Sequence, residues 1–347
     1  MPTPDATTGP GVEAPAEGRR GRARLTSSRL LAPLWLVLVV AGTAALVVGV
    51  VPVGPGWVPE AGAVVVSTAY AWALAARTGG RPVLFGTVAL VAAVLAVTLD
   101  LPWLRTGAAV TTCSVAAVLG VMATVPAVRF RRAARECVVA VLIAAVGALA
   151  TIGYAPALTL TRFEYVTLAL SLAGAFAVVH RLGAGLHGLG RRGVVAVVVG
   201  GVVLAVTLLY AELLRRYGTP EVVDTLLDGV RWTRENLGAF PRPIETVVGI
   251  PALVWGSHMR ARRRQGWWVC AFGTAATAST AAALVNPGVA LLESGLSVTY
   301  GLVVGLVLGY LLVRADLAVT GTRGRRSRAA ERGAAVRPEP SRTQPLR

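Results

Sequence analysis

The sequence predicts an all-α protein: a polytopic transmembrane helical bundle of about ten spans, with both termini in the cytoplasm. Three observations predict it. The chain has 347 residues, of which 55% are hydrophobic and only 15% charged, and its mean hydropathy is +0.65; a soluble domain carries about 25% charged residues. Apolar runs long enough to cross a hydrocarbon layer of roughly 30 Å recur along most of the chain. Arginine alternates between rich and poor connections, as it must if basic segments resist translocation.

The basic excess of +17 comes from arginine alone, because all 34 basic residues are Arg and lysine is absent. Asn occurs only at Asn236 and Asn286, while Ala, Val, Gly, Arg and Pro abound. These are residues of GC-rich codons, so genome bias accounts for the missing lysine. Its absence still excludes a P-loop lysine, a Schiff-base lysine and a Ser-x-x-Lys dyad. Cys113, Cys137 and Cys270 lie in separate apolar runs without CxxC spacing and read as small hydrophobes. No cofactor and no nucleic-acid partner are expected; the arginines read as contacts with anionic lipid and as topology signals.

In order along the chain, residues 1–28 form a Pro/Gly/Ala-rich tail that turns basic at Arg19, Arg20, Arg22 and Arg24. Such a composition predicts disorder, with the basic end near anionic head groups. The apolar run that follows is too long for a signal-peptide core, and further spans follow at once. A transmembrane domain, residues 29–316, then places spans near 31–51, 61–76, 82–101, 106–128, 137–155, 161–180, 193–211, 244–258, 267–286 and 290–313. The second and eighth are short, and Pro251 interrupts the eighth. Residues 317–347 form a second Arg-rich tail, with Pro338 and Pro340, that is expected to be disordered.

With the N-terminus inside, only seven of the arginines fall outside: Arg105, Arg162, Arg215, Arg216, Arg231, Arg234 and Arg242. Removing any one span would invert every later connection and destroy this bias. Trp57 and Trp103 then sit in outer turns, and Trp267 and Trp268 follow the basic run Arg262-Arg263-Arg264, as aromatic belts at the two interfaces.

Several motifs require weighing. Gly183-Ala-Gly185-Leu-His187-Gly188 fits GxGxxG, but it lies in a loop between two membrane helices and lacks the βαβ unit that a dinucleotide site needs. His180, His187 and His258 show no helical pairing with another ligand, so no metal site is expected. In the last span Ser297, Gly301, Gly305 and Gly309 recur every fourth residue, a small-residue stripe that lets another backbone approach. Packing within the bundle is its ordinary use; a homo-oligomer or a membrane partner is the alternative. The outer loop 212–243 holds Thr219-Pro220-Glu221, an N-cap signature. An apolar stripe of Val222, Val223, Leu226, Leu227 and Val230 follows, opposite Asp224, Asp228, Arg231 and Arg234. This predicts an amphipathic helix on the outer face, as a cover for the bundle or as a lid.

The acids carry the functional hint. Asp100, Glu164, Glu212, Glu245 and Glu293 all fall at or just inside outer span ends. Carboxylates at such depth face a polar cavity or snorkel to the interface. Arg162 lies two residues from Glu164, on another helix face, so Glu164 needs a partner from elsewhere, with Arg105 or Arg242 as candidates. The candidate polar outer cavity is therefore Arg162, Glu164, Glu245, Glu293 and Asp100. Span centres are almost purely Ala, Val, Leu and Gly.

The stretch from Pro241 to Ala276, about a tenth of the chain, resembles multi-pass membrane proteins of high-GC actinobacteria that have no assigned activity. The resemblance implies membrane location alone. Two known architectures share the outline without the residues: the peptidoglycan polymerases of the shape and division family, and the drug and metabolite transporters, whose WGS element is echoed at Trp255-Gly256-Ser257 in a different span. The leading expectation is a non-enzymatic envelope component, permease-like or a partner subunit, in a bacterial cytoplasmic membrane. The alternative is a membrane enzyme acting on a lipid-linked substrate at the outer face, with Asp224, Asp228 or Glu164 as base and Arg162 or Arg242 holding phosphate.

Overall fold

The computed structural model describes residues 17–51, 54–184, 186–262, 266–320 and 339–346. Among them, secondary structure is helical: α1 Glu17–Val50, α2 Trp57–Arg77, α3 Pro82–Thr98, α4 Pro102–Met122, α5 Phe130–Gly153, α6 Leu160–Val179, α7 Leu186–Tyr217, α8 Pro220–Leu237, α9 Ile250–Arg260, α10 Gly266–Ala271, α11 Thr274–Val285 and α12 Leu291–Thr320. Two π-helical segments, His180–Ala184 and Ile244–Gly249, precede α7 and α9.

Among the described residues, eight helical stretches are long and apolar enough to cross a membrane. Two further segments expected as spans fall short of that. The third, α3, has 17 residues, and the eighth is divided between the π segment and α9. The second, expected to be short, is instead a helix of 21 residues beginning at Trp57. Pro59 and Glu60 look like turn residues in the sequence. In the first turn of a helix, however, the missing proline N–H costs nothing and an acid is favoured.

The centre of the bundle is α10–α11. Its stretch Gly266–Val285 is 94% buried, whereas the more apolar Gly193–Tyr210 of α7 is 6% buried. Side-chain size explains the contrast. α11 carries Ala, Thr and Ser almost throughout, so α4, α5, α6 and the π segment all pack on it. α7 instead presents Val194, Val195, Val198, Val199, Val202 and Val206 outward, a surface suited to acyl chains.

Both central elements are broken. Pro251 has no N–H and its ring crowds the carbonyl four residues back. The preceding turns widen to i→i+5 pairing, with the Ile250 N–H bonded to the Glu245 carbonyl. α10 and α11 are separated at Phe272 and Gly273, where the Phe272, Gly273, Ala275 and Ala276 N–H groups bond three residues back. The two breaks meet: a Cβ on Gly249 would lie 2.1 Å from the Ala276 nitrogen, so only glycine admits this backbone approach.

The structure departs from four sequence expectations. Residues 17–28, expected to be disordered, continue α1; residues 1–16 lie outside the described part. Of the tail 317–347, α12 takes residues up to Thr320, and the described segment 339–346 packs on the bundle instead of being disordered. Trp267 and Trp268 are not a belt: both are buried, Trp267 beneath Arg260 and Trp268 against Phe176, because Arg260 and the α6 ring need a flat apolar partner there. Trp57 and Trp103 are exposed, as a belt requires.

The fourth departure is α8. It forms where expected, with Thr219 at the N-cap, Pro220 at its start and Gly238 in the left-handed conformation at its end, though without a side-chain cap bond. It does not cover the bundle: Leu226, Leu227 and Trp232 are exposed. Its final turns reach α12, where Tyr300 donates to the Leu237 carbonyl and Glu293 pairs with Arg234.

Candidate functional site

The starts of α2, α4, α6 and α12 share one end of the bundle with the end of α5, and the sequence-predicted acids lie there. They do not converge on one cavity. Asp100, held at φ +52° in the turn before α4, stands 2.7 Å from Arg105. Arg105 also reaches Glu60 at 2.8 Å and the Tyr154 carbonyl at 3.1 Å, so this cluster ties the ends of α2, α4 and α5 together. Glu293 pairs loosely with Arg234 of α8 at 3.6 Å. Arg162 is exposed.

Glu164 and Arg242 do meet, at 2.9 Å, the partnership anticipated because a residue two positions away on the same helix faces elsewhere. They stand in the lining of a groove of about 340 Å³ between α6, α7 and α11, along with Tyr165, Thr207, Tyr210 and Ser279. The Ser279 hydroxyl is buried and has no hydrogen-bond partner.

Three residues on, Glu245 occupies the π segment and is completely buried. Among the described residues, neither of its carboxylate oxygens has a hydrogen-bond partner. Its side chain packs on α12 at Gly301, where a Cβ would lie 3.0 Å from the Glu245 carboxyl carbon. The glycine stripe is thus filled from within the chain. Ser297 donates to the Phe240 carbonyl at 2.6 Å, and Cβ atoms on Gly305 and Gly309 would lie 2.6 and 2.7 Å from those of Ile250 and Val254. That face of α12 is occupied by the π segment and α9.

Glu245 therefore faces α12, while its neighbours Arg242, Pro243 and Ile244 line the groove beside α6 and α7. One widened helical turn connects a lone buried carboxyl with the ion pair at the groove. An unpartnered carboxylate in an apolar surround discharges itself by taking up a proton or a cation.

The opposite end holds arginines that sequence reasoning counted only for topology, and an acid, Glu136, that it did not single out. Arg77, Glu136 and Arg260 are all buried there, joined by residues 339–346. The available signal was Glu136, a single acid directly after the basic run Arg129–Arg135. Glu212 and His187 have side chains outside the described part, as do Gly185 and the arginines of 321–338. The cysteines are buried and unpaired. No protein-family model, no curated protein and no solved structure matches the chain.

Proposed function

We propose that the chain is a permease-like component of a bacterial cytoplasmic membrane, spanning it ten times with both termini inside. In this reading Glu245 binds a proton or small cation as the π segment moves between α12 and the groove. The observation that carries it is the fully buried, unpartnered Glu245 carboxyl in a π-helical turn. An ionisable group at such a depth marks an ion or substrate pathway, and π turns concentrate at functional sites. Two interrupted helices crossing closely, Gly249 against Ala276, resemble the arrangement in which transporters bind substrate near the membrane midplane. The Arg242–Glu164 pair is the gate. Ten crossings follow if α3 and the π segment with α9, each near the lower length limit for a span, count with the eight longer stretches.

The reading is tested in liposomes that contain a pH-sensitive dye and carry an imposed membrane potential. Wild-type protein is expected to admit protons above the empty-liposome background, Glu245→Gln to abolish the flux, and Glu164→Gln to change its rate. Undiminished flux in Glu245→Gln overturns it. Reporter fusions after Gly218 and Gly266 should read outside and inside; the same side for both removes the ten-span topology.

A second reading, an enzyme on a lipid-linked substrate, draws on one feature of the same groove. Tyr165 and Tyr210 in its lining are half-exposed, which gives an acyl chain lateral access. Its candidate bases fit less well: Glu164 is engaged by Arg242, and Asp224 and Asp228 stand on the exposed α8, with Asp228 paired to Arg231.

A further inference from the structure

At the end away from Glu245, the bundle supplies two arginines with neutral partners only. Arg260 is stacked on Trp267, its Cζ 3.5 Å from the ring centre. It donates to the Thr124 hydroxyl at 2.7 Å and to the Thr124 carbonyl at 3.0 Å. Arg77 donates through Nε to the Met122 carbonyl at 3.0 Å, and the two guanidinium groups are close enough to repel. The buried acid of this end, Glu136, is taken: it accepts from the Val125 N–H and pairs with Arg135 and Arg342. Buried cations without a counter-charge are strongly unfavourable, so an anion belongs between them.

In the structure that anion comes from the segment 339–346. Glu339 accepts from Arg260 Nη2 at 2.7 Å, and the Ser341 and Gln344 carbonyls accept from Arg77 Nη1. The Leu346 N–H donates to the Arg77 carbonyl at 2.8 Å, and the Leu346 side chain enters the apolar core. The fit is incomplete. Glu339 Oε1 and Arg77 Nη2 are both buried and unpartnered. A planar carboxylate presents two oxygens; the tetrahedral oxygens of a phosphate reach two guanidinium forks and a hydroxyl together.

The geometry points to a phosphate site built from Arg77, Arg260 and Thr124, in which the segment 339–346 sits as an internal stand-in, its Glu339 carboxylate in place of the phosphate. The phosphate is either free in solution or part of a lipid head group, and its entry releases the segment.

A spin label at Thr343→Cys, an exposed position of the segment, reads that release in the full chain. In nanodiscs of phosphatidylcholine the label is expected to be immobile, and millimolar inorganic phosphate mobilises it if the source is soluble. If the source is lipid, phosphatidylglycerol nanodiscs mobilise it and free phosphate does not. Glu339→Gln, which keeps the side-chain shape, should lower the phosphate or phosphatidylglycerol concentration needed at least tenfold. Arg77→Lys, which keeps the charge but loses the fork, should raise it by a similar factor. A label that neither anion moves, in wild type and Glu339→Gln alike, overturns the proposal and leaves the segment a purely structural strap.

Discussion

At the acid-bearing end, the pairs Arg105–Asp100, Arg242–Glu164 and Arg234–Glu293 each include at least one partner well exposed to solvent. At the arginine-rich end, Arg77, Glu136 and Arg260 are almost wholly withdrawn from it and held by residues 339–346. The acid-bearing end has more acids near span ends, so the sequence draws attention to it. Energetically the order is reversed. An exposed pair contributes about 0–1 kcal/mol, because water screens it and two long side chains must be fixed. Removing one member of a buried pair strands the other charge, at about 3–5 kcal/mol. Glu245, on the acid-bearing side, is buried like the second group but has no hydrogen-bond partner among the described residues, so it is no tie.

The comparison makes a graded set of predictions for the midpoint of denaturant unfolding in detergent micelles. Arg260→Ala should have the largest effect, a loss on the order of 3–5 kcal/mol, since it removes the stack on Trp267 and leaves Glu339 buried without its cation. A midpoint near wild type would break the contrast between the ends. Gly305→Val comes next, at about 1–3 kcal/mol, because its Cβ would stand 2.6 Å from that of Ile250; a neutral result would mean that α12 is free to move off α9. Glu164→Gln should lower stability by no more than about 1 kcal/mol, and a larger loss would show that the groove pair is a structural tie after all. Asp228→Asn, in an exposed pair on α8, should stay within about 0.5 kcal/mol.

Some of this was legible in the chain and some was not. The glycine stripe was found by its spacing of four, and its use, close packing, follows from the missing side chains. Glu164 was assigned a partner from another span, with Arg242 among the candidates, because the i,i+2 spacing denies it Arg162. The second span was expected to begin at residue 61, but Pro59 and Glu60 are both at home in the first turn of a helix, which begins at Trp57. Trp267 and Trp268 were placed in a belt because a Trp pair beside arginines suits both a membrane interface and a buried cation stack. The sequence cannot separate the two. Local periodicity also cannot reveal that residues 339–346 return to Arg77 and Arg260, since that contact joins positions far apart in the chain.

The sequence by itself determined that the chain is helical and apolar enough to cross a membrane. It also determined where α8 begins and which face of α12 is small. Each of these depends on composition or on spacing within one element. Tertiary structure alone decided that the acid-bearing rim is three separate ion pairs and not one cavity. It also decided that Glu245 has no hydrogen-bond partner among the described residues, and that Arg77 and Arg260 at the other end are buried and hydrogen-bonded within the chain. The physical reason is that a charge is defined by what surrounds it, and its surroundings come from other helices.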